Sequence, residues 1–293
     1  VGVCPHPREE QCRRKHLVGA ASIRALKRFS AEANVDYIPE CKANNGKKIA
    51  VIGAGPAGLS CAYFLAIEGY QVEIFEAEEK GGGMLRYGIP AYRLPKDILD
   101  KEIENIEKMG VKISYNKKLG RDFTIEALKS SFNAVFVAIG AWTASGLRCE
   151  GEDAQGVEGG IDVLYRVAKG EKVDLGDNVC GNTAIDAVRT AVRLGAKNVT
   201  LVYRRTEKEM PAEPDEIFDA KAEGVNFRFL AAPIRVLSEN GKATGLEIQN
   251  MELGEPDESG RRQPVAIEGS TDIIKCDTVI SAIGQRVSSS CID

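Results

Sequence analysis

The sequence predicts an α/β protein with parallel sheets, organised as two Rossmann-type units. Three observations predict it. Short apolar runs alternate with helical segments along most of the chain, the pattern of βαβ units. Gly53-Ala54-Gly55-Pro56-Ala57-Gly58 follows one such run and opens a helix. Two later strands end alike, in Phe136-Val-Ala-Ile-Gly140 and Ile280-Ser-Ala-Ile-Gly284. A length of 293 residues accommodates about two domains.

Taken in order, residues 1–19 read as loop and 20–34 as an amphipathic helix with Ile23, Leu26 and Phe29 on one face. A linker with Pro39, Asn44, Asn45 and Gly46 follows. Ile49–Ile52 is a short buried strand, Pro56–Gly69 a helix and Gln71–Glu76 a second strand. The Gly- and Pro-rich stretch 77–95 is a long loop, and Lys96–Met109 is a helix. Val111–Tyr115 and Ala134–Ile139 are strands around a helix near Thr124–Ser130. Ile161–Val167 and Thr183–Leu194 read as helices, Val199–Tyr203 as a strand and Glu213–Ala222 as a helix. Residues 225–283 are mostly strands, the last being Asp277–Ala282.

The bulk properties exclude several classes. Net charge is −4 with no long basic tract, which argues against nucleic-acid binding. No apolar run approaches the roughly 20 residues that span a bilayer. Six of the eight cysteines are scattered singly, which suits a reducing cytoplasm better than a disulfide scaffold. The first residues, Val-Gly-Val-Cys-Pro, are not a signal peptide and read as the interior of a longer chain.

The glycine motif has a mechanism. Gly53 permits the tight turn, Gly55 lets backbone approach a pyrophosphate, and Gly58 lets helix and strand pack closely. Pro56 and Ala57 start the helix, whose free amides face the phosphates. Glu76 ends the second strand about 20 residues on, where a carboxylate accepts hydrogen bonds from a ribose. At the end of Val199–Tyr203, Arg204 and Arg205 occupy the place where a second unit reads its nucleotide. Two guanidiniums there suit a 2′-phosphate and favour NADPH over NADH.

Gly53–Leu59, followed by Gly81-Gly-Gly-Met-Leu-Arg-Tyr-Gly-Ile-Pro-Ala-Tyr-Arg-Leu-Pro-Lys96, resembles the small subunit of glutamate synthase and its relatives. Those include the flavin half of dihydropyrimidine dehydrogenase and NADH-dependent ferredoxin:NADP oxidoreductases. The resemblance continues through Ala134–Ala141, Gly151-Glu-Asp153, Asn182–Asp186, Val202–Thr206, Glu209–Ala212 and Asp277–Gln285. It implies an FAD domain (46–146), an NAD(P)H domain (147–285), the start of a return to the FAD domain (286–293), and a partial helical iron–sulfur domain with linker (1–45). It implies electrons passing from NAD(P)H to FAD and on to iron–sulfur centres, a partner subunit or a fused domain. The flavin carries the redox chemistry, so no acid–base residue is needed. Gly82, Gly83 and Leu85 would line the flavin side, and the backbone of Leu119 would meet the adenine. Gly140 and Gly284 end strands at the cofactors, and Gly181, Asn182 and Thr183 stand at the second nucleotide.

Three departures from the family shape the expectations. Leu175-Gly-Asp-Asn-Val-Cys180 runs straight into Gly181-Asn182, four or five residues short of a strand plus glycine turn. With Val179 and Cys180 alone left as strand, the second unit should be incomplete in both core and phosphate cradle, and NAD(P)H binding impaired. Asp293 precedes the segment that closes the flavin site, so FAD should bind weakly or by its ADP end. Cys4 and Cys12 are two candidate iron ligands where a cubane cluster normally takes four thiolates, and Arg8 stands where the family has a cysteine. His6 and His16 read as solvated. Alternatives are a related ferredoxin, sulfide or pyrimidine oxidoreductase subunit, and a non-catalytic incomplete fragment.

Overall fold

The computed structural model describes residues 3–33, 37–182, 185–256, 258 and 260–288. The chain divides into two compact units, one reaching Ala141 and including Val287 and Ser288, the other spanning Trp142–Arg286.

The first unit carries helices α1 (Pro7–Glu10) and α2 (Ile23–Ala33), then β1 (Lys48–Ile52), α3 (Pro56–Ile67), β2 (Gln71–Phe75), α4 (Met84–Tyr87), α5 (Lys96–Lys108), β3 (Lys112–Ser114), α6 (Ile125–Ser131) and β4 (Ala134–Val137). Its sheet has the order β3-β2-β1-β4, all parallel. Because successive side chains in a strand point to opposite faces, β1 serves two cores. Val51 packs with Leu59 of α3 and Leu99 and Ile103 of α5. Ala50 and Ile52 pack with Leu119 and with Leu128 of α6. A strand covered on both faces must be apolar throughout, which is why the sequence shows a run and not an alternation. Two stretches read as loop contain helix. Residues 7–10 form α1, entered through Pro7, and Met84–Tyr87 form α4 within the glycine-rich stretch.

The second unit runs β5 (Thr143–Ala144), β6 (Val157–Gly159), α7 (Gly160–Ala168), β7 (Asn178–Asn182), α8 (Ile185–Arg193), β8 (Asn198–Tyr203), α9 (Pro214–Ala222), β9 (Asn226–Phe229), β10 (Ala231–Glu239), β11 (Lys242–Pro256), β12 (Arg262–Lys275), β13 (Thr278–Ser281) and β14 (Gln285–Arg286). A parallel sheet of order β6-β13-β7-β8-β9 has one face against helices, where Val179, Leu201 and Ile280 meet Val163, Val188 and Ile217. Its other face, Cys180, Val202 and Val279, packs on Val236, Leu246 and Ile248 of the antiparallel β10-β11-β12 sheet. Asn240 and Gly241, both at positive φ, make the two-residue turn between β10 and β11, the pair expected of a type I′ hairpin.

One expectation is corrected. The first strand of the second unit is not lost: β7 is five residues long and central. Gly181 and Asn182 supply its last two positions, pairing with Leu201 and Val202 of β8. The core is therefore intact, at the expense of the glycine that was to begin the turn.

Candidate nucleotide-binding site

In the first unit, β1 ends at Ile52 and α3 begins at Pro56, a residue whose fixed φ and missing N–H suit the first helical position. Gly53 turns the chain at φ +102°, and a Cβ there would lie 2.4 Å from the carbonyl oxygen of Ala138. A Cβ on Gly58 would lie 1.9 Å from the oxygen of Gly53. Turn and helix are thus packed to backbone contact. Among the described residues no side chain caps α3, and Pro56 and Ala57 are exposed. The orphan amides of the first helical turn open outward, a ready place for an anion.

Glu76 sits at the mouth of that turn. Its Oε2 accepts from the Ala54 N–H at 2.6 Å and its Oε1 from the Glu78 N–H at 2.8 Å. The residue is buried, and burial pushes its carboxyl above the usual range, with those two amides pulling the other way. Each carboxylate oxygen has about two lone-pair sites, so capacity remains for ribose hydroxyls.

The glycine-rich segment closes on the same turn. The Gly82 N–H donates to the Ala54 carbonyl at 2.8 Å. A Cβ on Gly83 would fall 2.8 Å from Cα of Gly55, so two backbones meet with no side chain between them. Leu85, in α4, is partly buried against the core under α3. Arg86 holds the segment from behind. Its guanidinium is buried, Nε donating to the Gly81 carbonyl at 2.5 Å and Nη2 pairing with Asp100 of α5. Lys96 Nζ donates to the carbonyls of Leu85 and Ile89 at 2.8 and 2.6 Å. These bonds make residues 81–89 a fixed platform. Arg86→Met removes the donor to Gly81 and is expected to cost about 1–3 kcal/mol, read by denaturant unfolding, with faster proteolysis within 81–95.

Leu119 is buried beneath the sheet, and Gly140 is exposed beyond β4 at φ +72°. The sequence did not point to Arg86 or Lys96. They lie in or at the edge of a turn-rich stretch that also carries Arg93, so basic character alone did not mark them out.

The second unit places its predicted residues differently. Gly181 and Asn182 are buried in β7, and the Asn182 Oδ1 accepts from the Ala282 N–H at 2.5 Å. Thr183 lies outside the described residues. Arg204 is exposed at the end of β8, but Arg205 is buried, its Nε donating to the Arg262 carbonyl at 2.7 Å. Both lie in the bend just past the end of β8, one exposed and one held by a backbone carbonyl. Gly284, at φ +122°, is exposed, and its carbonyl accepts from the Ser145 N–H.

At the other end, Cys4 and Cys12 are free, partly buried thiols. Backbone N–H groups of Ala21 and Arg14 lower the Cys12 thiol from its ordinary value. Among the described residues no group of three or more His, Cys, Asp or Glu side chains could hold a metal ion. No helix among them is long and apolar enough to cross a membrane.

A parallel sheet whose central strand ends in a glycine turn and an uncapped helix, with a carboxylate closing the next strand, defines a dinucleotide-binding protein of the Rossmann class. The chain belongs to the pyridine nucleotide-disulphide oxidoreductase family, which residues 47–293 match. It is 48% identical over 297 residues to the NADPH-Fe(3+) oxidoreductase subunit beta of Geobacter sulfurreducens, covering 97% of this chain and 44% of that one. It is 37% identical over 306 residues to the glutamate synthase [NADPH] small chain of Escherichia coli K12, covering 97% of this chain and 65% of that one. The chain thus spans less than two thirds of either relative. Among solved structures, the fold matches the FprA oxidoreductase of Mycobacterium tuberculosis with a TM-score of 0.67 at 19% identity, over 83% of this chain and 72% of that one.

Proposed function

We propose that this chain is the flavin module of an NADPH-linked oxidoreductase, passing electrons from NADPH through FAD to an iron–sulfur centre, a partner subunit or a fused domain. The observation that carries it is the open, uncapped start of α3 with Glu76 hydrogen-bonded at its mouth. FAD would supply the redox chemistry when bound. The amides of Gly55, Ala57 and Gly58 would hold its diphosphate and Glu76 its ribose. The backbone at Leu119 would meet the adenine, and Gly82, Gly83, Leu85 and Gly140 would border the flavin. In this reading residues 46–146 form the FAD domain and 147–285 the NADPH domain, with Arg204 as its exposed 2′-phosphate reader and Gly284 at its rim.

The names of the two relatives, both subunits of NADPH-linked enzymes, support the reading. They also support a partner subunit as the electron acceptor, and the scattered cysteines suit a cytoplasmic setting. Cys4 and Cys12 would be part of a cluster site whose remaining ligands come from elsewhere. A second reading, a non-catalytic nucleotide-binding fragment, is favoured by the absence of a glycine from the sequence between β7 and α8.

The visible spectrum of the purified chain separates the two readings. The flavin module is yellow and loses its colour when reduced anaerobically with dithionite or NADPH. A colourless chain that takes up no added FAD would sink the proposal.

A further inference from the structure

The two units of this chain permit an internal comparison. In the first, three residues, Gly53-Ala54-Gly55, join strand to helix. In the second, the sequence between β7 and α8 holds Thr183 and Ala184, which lie outside the described residues, and neither is glycine. The one glycine nearby, Gly181, is strand. A Cβ on it would lie 2.7 Å from Val188 Cγ1 of α8, so it is committed to helix packing. Asn182 is buried and committed to the Ala282 amide. The first turn of α3 carries no acid, whereas the first turn of α8 carries Asp186. A carboxylate there occupies the favourable end of the helix dipole and repels a second anion.

Resting on the reading of the chain as an NADPH-linked flavoprotein, we propose that its second unit keeps the Rossmann fold but lacks a pyrophosphate cradle, so that NADPH binds to it weakly. The fold survives because β7 is completed by two residues that would otherwise begin the turn. What is lost is the glycine backbone that lets a pyrophosphate come close to the helix amides. The residual grip is on the adenosine end, through Arg204, which reads a 2′-phosphate without needing the turn.

The first unit supplies the repair. Inserting Val-Ile-Gly-Ala, the chain's own residues 51–54, between Cys180 and Gly181 gives Asn-Val-Cys-Val-Ile-Gly-Ala-Gly-Asn. That keeps a five-residue strand while freeing Gly181 and Asn182 for a glycine turn, in the arrangement of Lys48–Gly55. NADPH affinity of the full chain and of the insertion variant is measured by calorimetry, and flavin content separately from the visible spectrum. The variant is expected to bind NADPH roughly a hundredfold more tightly, the equivalent of about one hydrogen bond to a charged group. Arg204→Ala should weaken what binding the unaltered chain has. Low-micromolar NADPH binding by the unaltered chain overturns the proposal, whatever the variant does. So does a folded variant, shown by cooperative unfolding, with unchanged affinity. Absence of flavin from both proteins would count against the flavin reading, and would leave the NADPH titration to decide the cradle.

Discussion

Gly58→Ala is expected to yield a chain that retains almost no FAD through gel filtration, although it adds one methyl group. The reason is geometric. The new Cβ would lie 1.9 Å from the Gly53 carbonyl oxygen and 3.1 Å from Val51 Cγ1. The first of those neighbours is backbone, so no rotamer change relieves the clash. Helix α3 must move off β1, and its first-turn amides move with it. Overpacking of this kind typically costs about 1–3 kcal/mol of stability. The cost to FAD is larger, because the amides would no longer converge on one diphosphate. Gly110→Ala is the matched control. Unlike the helical Gly58 it lies at positive φ, +92°, and an added Cβ meets nothing within 4 Å. It should lower stability modestly through backbone strain and leave flavin content unchanged. Flavin absorbance per chain and denaturant unfolding on both variants check the prediction. Full flavin retention by Gly58→Ala would show that the turn does not hold the cofactor.

The first site was readable because its signal is local. Strand, turn, helix start and acid fall within Lys48–Glu76, and each has its own residue-level cause. The second unit was misread in one respect because its decisive interactions are not local. The pair Gly181-Asn182 has poor strand propensity, yet it lies between β8 and β13. The ladder from Gly181 to Leu201 and Ile280 settles its conformation. Position in a sheet can override propensity in this way. The same gap explains the arginine pair. Adjacency in sequence suggested a shared anion site, but Arg205 is taken by a carbonyl 57 residues away, at Arg262. Arg86 was invisible for a similar reason. Its worth depends on Gly81 and on Asp100, which reach it only once α5 is folded back against the glycine-rich segment.

Glu76→Gln should weaken FAD binding about as much as Glu76→Ala, by roughly 10–100-fold, despite the similar shape of the amide. The carboxylate accepts from two backbone N–H groups, one on each oxygen. A carboxamide offers one acceptor and one NH₂. Either Ala54 or Glu78 must then face a donor, and Ala54 is the middle residue of the glycine turn. Stability and binding should separate in this variant. Burial raises the Glu76 carboxyl above its ordinary value, so the folded, flavin-free chain holds that proton more firmly than the unfolded one. The sign follows from proton linkage. Stability from this group is greatest at low pH and declines as pH rises from the unfolded carboxyl range through the raised folded value. Glutamine does not titrate, so unfolding of the flavin-free variant should lose that slope. Denaturant unfolding across this pH range, with FAD titrations at neutral pH, tests both halves. Unchanged FAD affinity would remove Glu76 from the site. An unchanged pH slope would mean that burial does not set its charge. If both halves hold, the isolated chain keeps a carboxylate in an unfavourable place, and the hydrogen bonds it offers to the Ala54 turn and the ribose are the reason it is there.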